Sequence, residues 1–424
     1  MVKYEFPKNF YWGTATASHQ IEGGNIYNDW WEFESQGKVK DGQISGSACD
    51  SWNRYEEDFD LIQKLNNNAY RFSIEWSRIE PEEGKFNEEA LNRYKDMIIS
   101  LRKRNIEPFV TLHHFTNPLW IAKKGGWLNP KTIEYYLRYV EKVVKEFKDL
   151  VKYYMTINEP NAYAFMAYLY GEFPPQEKSL KKMLKVLNNM VKAHAKAYKL
   201  IHDIRKDAEV SIAYNVLLIE PLNPKSFIDR KIANFADRIY NQVFIETIIT
   251  GKFSSPLLKE DIPYAKDTLD YLGINYYTRI LMGIKTFFNP LLSVSTNNER
   301  SDFGWEIYPE GFYKVVKRFW ELTKKPIYIT ENGISDAKDD RRPKYLISHL
   351  IALHKAIKEG VDVRGYFHWS LMDNFEWAEG FKQRFGLFET NFDTKERIWR
   401  ESAKLYSEIA KNNGITEEME SLYH

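Results

Sequence analysis

The chain has 424 residues, with 60 Lys plus Arg against 59 Asp plus Glu and a formal net charge of +1. That balance creates no field to attract nucleic acid or an anionic membrane surface, so neither is expected as a partner. A single cysteine, Cys49, excludes an internal disulfide framework and a cysteine-clustered metal site, and is expected to be an inert, buried thiol.

Met1 to Pro7 contains no apolar signal core, and no stretch approaches the roughly 18 consecutive apolar residues of a membrane span, so a cytoplasmic location is expected. Short apolar runs alternate with long amphipathic stretches along the chain. The runs predict strands at Phe10–Ala15, Ala69–Glu75, Pro108–His113, Tyr153–Asn158, Val210–Tyr214, Tyr271–Tyr276, Ile327–Thr330 and Val363–Trp369. Apolar residues at three- and four-residue steps predict helices at Glu88–Arg104, Ile133–Phe147, Leu180–Arg205, Gly311–Leu322, Tyr345–Glu359 and Trp399–Lys411.

Eight strand–helix alternations imply a parallel sheet closed into one (β/α)8 barrel, with residues 1–424 as a single domain. An open doubly wound sheet would need a glycine-rich phosphate turn after an early strand, and neither GxGxxG nor GxxxxGK[ST] occurs. In a barrel of this kind, function sits at the C-terminal ends of the strands.

The first end reads Ser18-His19-Gln20-Ile21-Glu22-Gly23; Gln20 is a candidate for hydrogen-bonding hydroxyls, and Glu22 fits that role or an ordinary polar loop equally well. In the second strand, alternation puts Arg71, Ser73 and Glu75 on the inner face, where an arginine needs a carboxylate. That partner is either a catalytic glutamate or a buried acid such as Glu75. Adjacent strand residues point to opposite faces, so His113 and His114 cannot share a metal ion; His114 is expected to face the site and His113 to be a satisfied core histidine. No metal or organic cofactor is expected.

The fourth strand ends Ile157-Asn158-Glu159-Pro160 and the seventh Ile329-Thr330-Glu331-Asn332-Gly333, with the glycine suited to a tight turn. Two glutamates at apolar strand ends suggest one pocket, and paired carboxylates are the minimum equipment for cleaving an acetal. Their spacing in sequence does not say which one is nucleophile and which is acid. The sixth end places Asn275 and Tyr277 on a common face, where the tyrosine hydroxyl can orient a carboxylate. At the eighth, Trp369 and Trp377 flank Glu376, supplying indole faces for a sugar ring and a carboxylate for its hydroxyls.

The motifs RFSIEWSRI at 71–79, TINEP at 156–160, GINYYT at 273–278, ITENG at 329–333 and HWSLMDNFEWAEGF at 368–381 resemble those of family 1 glycoside hydrolases, in the same order and over nearly the whole chain. The resemblance implies a retaining, exo-acting β-glycosidase that releases a terminal β-linked glucose, galactose or fucose. It implies Glu331 as nucleophile, Glu159 as general acid/base and Asn158 as a ligand of the sugar 2-hydroxyl. Arg71 and Tyr277 would support the nucleophile and Asn275 the acid/base. Gln20, His114, Trp369, Glu376, Trp377 and Phe385 would complete the substrate-binding set. The partner implied is a small β-glycoside or oligosaccharide, and exposed barrel helices leave room for a homo-oligomer.

Departures from the common family pattern concern the leaving-group side. Phe115 stands where an indole is frequent, Val243-Phe244-Ile245-Glu246 lacks a common Trp-Phe, and the loops at 279–305 and 334–343 read as compact. A carboxylate at 376 is expected to disfavour 6-phosphorylated sugars. A non-catalytic sugar-binding barrel predicts loss of one glutamate or its supports, and all are present. A transglycosylase would share the same intermediate and differ only in its acceptor.

Overall fold

Eight parallel strands close on themselves in the computed structural model, which describes residues 1–286, 296 and 298–423. They are β1 (Tyr11–Ala15), β2 (Ala69–Ser73), β3 (Glu107–Thr111), β4 (Tyr153–Asn158), β5 (Glu209–Asn215), β6 (Leu272–Asn275), β7 (Ile327–Asn332) and β8 (Val363–Trp369). Each pairs with the next, and β8 returns to β1 with Tyr366 opposite Trp12. Every expected strand is present.

The ends differ in informative ways. β2 stops at Ser73, not Glu75, because the chain turns into a short helix at Trp76–Ile79. β3 stops at Thr111, two residues before His113, and β7 runs on through Glu331 to Asn332. Both glutamate-bearing strands carry one extra residue near their ends: Ile329 and Asn332 of β7 face Tyr366 and His368 of β8, and Met155 and Asn158 of β4 face Ser211 and Ala213 of β5. Such an insertion kinks a strand and re-aims the side chains that follow.

An outer ring covers the barrel: α1 (Ser51–Lys64), α2 (Glu88–Lys103), α3 (Thr132–Phe147), α4 (Leu180–Ile204), α5 (Val243–Thr250), α6 (Pro309–Thr323), α7 (Arg342–Lys358) and α8 (Glu401–Asn412). In α3, Ile133, Tyr136, Val140, Val143, Val144 and Phe147 form one buried face; each such side chain contributes about 1.5–3 kcal/mol when taken from water. Asn87 and Ser179 cap α2 and α4 by accepting from Ala90 N and Lys182 N. The helix expected at Trp399–Lys411 starts at Glu401, because Arg397–Trp399 pairs antiparallel with Phe388–Thr390, and it does not end the series, since a short helix at Glu417–Tyr423 follows it. Part of the expected compact loop at 279–305 lies outside the described residues.

Inside the barrel the layers change character along the axis. Tyr11, Phe109, Tyr153, Tyr328 and Phe367 fill the N-terminal end, with Phe109 and Tyr153 stacked at 4.2 Å and Phe109 meeting Phe367 edge-on at 4.8 Å. Above them lies the buried Arg71 guanidinium, and beyond it the strand-end glutamates. Cys49 is fully buried, and burial pushes its thiol up to about 12, which leaves it protonated and unreactive.

Candidate active site

Arg71 is the hub of the C-terminal face. Its Nε donates to Thr111 Oγ1 at 3.1 Å, Nη1 to the Thr330 carbonyl at 3.2 Å and to Glu331 Oε1 at 2.7 Å, and Nη2 to Asn158 Oδ1 at 2.6 Å. A buried guanidinium is tolerated because its charge and donors are matched in this way. The carboxylate it needs is therefore Glu331. Glu75, the nearer acid in sequence, accepts instead from Ser18 at 2.9 Å, Ser77 at 2.8 Å and Thr116 at 2.7 Å.

The second oxygen of Glu331 accepts from the Tyr277 hydroxyl at 2.6 Å. Burial raises the Glu331 carboxyl above its ordinary range, while Arg71 and Tyr277 oppose that rise. Its neighbour Asn332 is locked by donating to the Tyr276 carbonyl and the Tyr345 hydroxyl, both at 2.8 Å. Gly333 does not serve the expected tight turn. A Cβ there would lie 1.8 Å from the Trp369 carbonyl oxygen, so the glycine lets the ends of β7 and β8 touch.

Glu159 has different company. Its Oε1 accepts from Asn275 Nδ2 at 2.8 Å and Asn215 Nδ2 at 3.0 Å, and it makes no ion pair among the described residues. Its backbone lies in the left-handed region at φ 46°, a strained conformation for a non-glycine residue that turns the carboxyl away from the strand. Burial first, and the charge of Glu331 second, push its carboxyl up to about 7. Asn158 and Asn275 stitch the two glutamates together, since Asn275 Nδ2 also lies 3.2 Å from Asn158 Oδ1.

Beside this pair stands a polar and aromatic wall. Gln20 Nε2 donates to the Phe375 carbonyl at 2.8 Å and reaches Glu376 Oε2 at 3.3 Å. His114 Nε2 lies 3.2 Å from Asn158 Nδ2, and its ring is nearly parallel to Trp369 at 5.9 Å and Trp377 at 6.0 Å. Burial holds His114 neutral, so an Nε2 that accepts from Asn158 leaves the proton on Nδ1. Gln20 Oε1 and His114 Nδ1 are both buried without a hydrogen-bond partner among the described residues. One acceptor and one donor left unpaired beside indole faces are what a sugar ring with hydroxyls satisfies.

Glu376 is pushed up to about 8, by burial first and then by Glu331 and Glu159. At neutral pH it is mostly a carboxylic acid, able to donate as well as accept, which weakens the repulsion of phosphate expected from a full charge. It has no ion-pair partner among the described residues. The loop that carries it is anchored by Asp373, whose two oxygens accept from Arg400 at 2.7 and 2.8 Å. Phe385 packs edge-on to Tyr277 at 6.0 Å, and Trp305 lies 5.5 Å from the same ring.

His113 is the expected core histidine but is only half satisfied: Nε2 lies 2.9 Å from Asn117 Oδ1 and the ring meets Trp127 edge-on, while Nδ1 is buried with no hydrogen-bond partner among the described residues. Glu22 lies outside the sugar wall, held by the Tyr94 hydroxyl at 2.6 Å and Arg78 at 3.3 Å. His19, paired with Glu34, stacks on Trp377 at 5.9 Å and buttresses it. Phe115 meets Trp377 at 5.1 Å and keeps the apolar wall expected of it. Sequence reasoning misses Asn215; its only signal is a polar residue directly after the fifth apolar run. Among the described residues, no cluster of His, Cys, Asp or Glu has the makings of a metal site, and no helix is long and apolar enough to cross a membrane.

Comparison with known proteins identifies the family. The model of the family described as Glycosyl hydrolase family 1 matches residues 2–415. Beta-glucosidase A of Thermotoga maritima is 36% identical over 441 residues, covering 97% of this chain and 99% of that protein. A beta-galactosidase of Sulfolobus acidocaldarius is 34% identical over 484 residues, covering 98% and 97%. A solved beta-glycosidase from Pyrococcus horikoshii superposes with a TM-score of 0.93 at 43% identity, over 100% of this chain and 98% of that one. The Thermotoga maritima beta-glucosidase in complex with glucoimidazole gives a TM-score of 0.92 at 35% identity, over 97% and 100%. The chain is a glycoside hydrolase and belongs to glycosyl hydrolase family 1, with the β-glucosidases and β-galactosidases built on the same (β/α)8 barrel.

Proposed function

We propose that the protein is a retaining, exo-acting β-glycosidase that removes a terminal β-linked glucose, and also galactose or fucose, through a covalent glycosyl-enzyme. One observation carries the division of labour: Glu331 is ion-paired to Arg71 while Glu159 is held, among the described residues, by two amides and is lifted to about 7. A nucleophile must be ionised and a general acid protonated at the same pH, and these surroundings separate the two carboxyls in that sense.

In this mechanism Glu331 attacks the anomeric carbon as Glu159 gives its proton to the departing oxygen. The ester that forms removes the Glu331 charge, so the proton affinity of Glu159 drops and it takes a proton from the attacking water. Asn158, fixed by Arg71 and Asn275, faces the sugar 2-hydroxyl; Gln20, His114, Glu376 and Trp377 bind the remaining hydroxyls, Trp369 stacks beneath the ring and Phe385 closes its edge. The substrate in this reading is a plain glycoside: even with its charge reduced, Glu376 is a carboxyl and not a cation, and no cation among the described residues pairs with it to receive a phosphate. Related structures carry glucoimidazole and galacto-hydroximolactam, which supports both gluco- and galacto-configured substrates.

The test is proton NMR of p-nitrophenyl β-glucoside hydrolysis, with the galactoside, fucoside and 6-phosphoglucoside alongside. The β-anomer is expected to appear first, and the phosphorylated substrate to react least. An α-anomer appearing first sinks the retaining mechanism. Glu331→Gly is expected to be inactive and rescued by azide with inverted product, whereas Glu159→Ala with azide gives retained product. Exchanged outcomes would reverse the two roles, and no turnover by a folded protein would favour a sugar-binding barrel.

A further inference from the structure

Both amides that reach Glu159 reach the same oxygen. Asn275 and Asn215 each donate to Oε1, and no donor among the described residues reaches Oε2. Asn275 is set within the barrel, where its Oδ1 accepts from Thr330 Oγ1 at 2.6 Å. Asn215 ends β5 and is oriented from outside the sheet: its Oδ1 accepts from the Tyr240 hydroxyl at 2.7 Å.

Tyr240 is unusual in its backbone. It lies in a π-helical turn, Arg238–Gln242, between the helix Phe227–Asp237 and α5, and its ring packs edge-on at 4.9 Å against Phe165. Phe165 opens a second π turn, Phe165–Leu169, in the segment that follows Glu159. A π turn inserts one residue into a helix and recurs at functional sites. The Tyr240 carbonyl accepts from Asn161 Nδ2 and the Tyr214 hydroxyl, both at 3.1 Å, and Asn161 also donates to the Asn215 carbonyl at 2.8 Å. Asn161 thus ties the Tyr240 backbone to that of Asn215, a link in which Tyr214 has no part.

We propose that Tyr240 is a positioning residue for the acid/base: acting through Asn215, it confines the transferable proton of Glu159 to Oε2. This rests on Glu159 being the acid/base. An oxygen that accepts two N–H donors cannot hold a proton without losing them, so the proton resides on the other oxygen. The arrangement depends on which way the Asn215 amide faces. Turned over, Asn215 would present Oδ1 to Glu159, stabilise a proton on Oε1 and repel the carboxylate after transfer. It would also leave the Tyr240 hydroxyl with no acceptor among the described residues. Burial and the nearby Glu159 charge keep Tyr240 protonated, so it remains a donor throughout the cycle.

The experiment compares kcat/KM across aryl β-glucosides from dinitrophenyl to phenyl for the wild type, Tyr240→Phe, Asn215→Ala and Glu159→Ala. Tyr214→Phe serves as a control that removes a hydrogen bond to the Tyr240 carbonyl. A departing dinitrophenolate needs no proton, whereas a phenolate does. Tyr240→Phe and Asn215→Ala are expected to lose about tenfold on the phenyl glucoside, a part of the usual general-acid contribution, and less than about threefold on the dinitrophenyl one. Removing an N–H donor from the ionised carboxyl raises its pKa, so the basic limb of kcat/KM should move up by about one pH unit in Asn215→Ala. Tyr214→Phe should lower thermal stability and leave the leaving-group dependence unchanged. A steep dependence in Glu159→Ala with a wild-type slope in both Tyr240→Phe and Asn215→Ala would overturn the proposal alone. A flat dependence in Glu159→Ala would overturn the acid/base assignment and the proposal together. Should Tyr240→Phe fail to fold, Asn215→Ala carries the same test.

Discussion

The ends of β4 and β7 use the same local device and place their glutamates in opposite surroundings. Each is a buried strand with one extra residue near its end and a glutamate directed into the site. Around Glu331 the partners are a guanidinium on one oxygen and a phenol on the other, so both oxygens are held and a counter-charge is in contact. Around Glu159 the partners are two amides on one oxygen, and the counter-charge is remote. Burial is the same for both. Under the proposed roles, what separates the nucleophile from the acid is the choice of neighbour, not depth in the protein.

The largest effect should come from removing the guanidinium. Arg71→Gln leaves Glu331 buried with no counter-charge and takes the Nη2 donor from Asn158. Breaking a buried pair costs about 3–5 kcal/mol, so kcat/KM should fall by about 10³-fold for every leaving group alike. The acid limb of the pH profile should also move up, because Arg71 is the main influence opposing the rise of Glu331. A loss confined to poor leaving groups would show that Arg71 serves the wrong glutamate.

A smaller and selective effect is expected at the other end. Glu159→Gln should cost about 10²-fold on phenyl glycosides and under about tenfold on dinitrophenyl ones, as read from glycosylation rates in stopped flow. In the wild type, Glu159 must be protonated to act as acid, so kcat/KM should decline as pH rises through about 7. A basic limb displaced well above that value in the wild type, or retained unchanged in Glu159→Gln, would detach the limb from this residue.

Much of this contrast is legible in the amino-acid sequence. Apolar runs halted by Asn-Glu-Pro and Thr-Glu-Asn-Gly mark both strand ends, and the alternation of Arg71, Ser73 and Glu75 requires an inward charge with an acid partner. Sequence leaves Glu75 and a catalytic glutamate open as that partner, because ion pairing across a barrel depends on closure and not on proximity along the chain. Asn215 lies one residue past the expected strand, and Tyr240 sits in a π turn that a 3.6-residue periodicity conceals. Gly333 reads as a turn residue, since its real constraint is a carbonyl on β8 that no local pattern announces. The acidity of Glu376 is hidden for the same reason: it arises from burial beside two other carboxyls contributed by distant strands.

The smallest and most diagnostic change is Tyr277→Phe. The hydroxyl donates to Glu331 Oε2 at 2.6 Å, whereas Arg71 serves Oε1, so the variant keeps the charge partner and loses only the second restraint. A hydrogen bond to a charged group contributes about 1.5–3 kcal/mol, and part of it is lost anyway when the attacking oxygen becomes an ester. The expected loss is therefore about tenfold in kcat/KM, well short of the Arg71→Gln loss, with the acid limb displaced upward by less than in that variant. The sign follows from the donor: a phenol that stabilises the carboxylate lowers its pKa, and its removal lets burial raise it. Because the glutamates sense each other's charge, the two limbs belong to the pair, and a narrower bell in Tyr277→Phe would mean that raising one carboxyl has left the other in place. If instead both limbs moved together, the pair would be titrating as one unit, and the distinction between the β4 and β7 ends would rest on geometry alone and not on proton affinity.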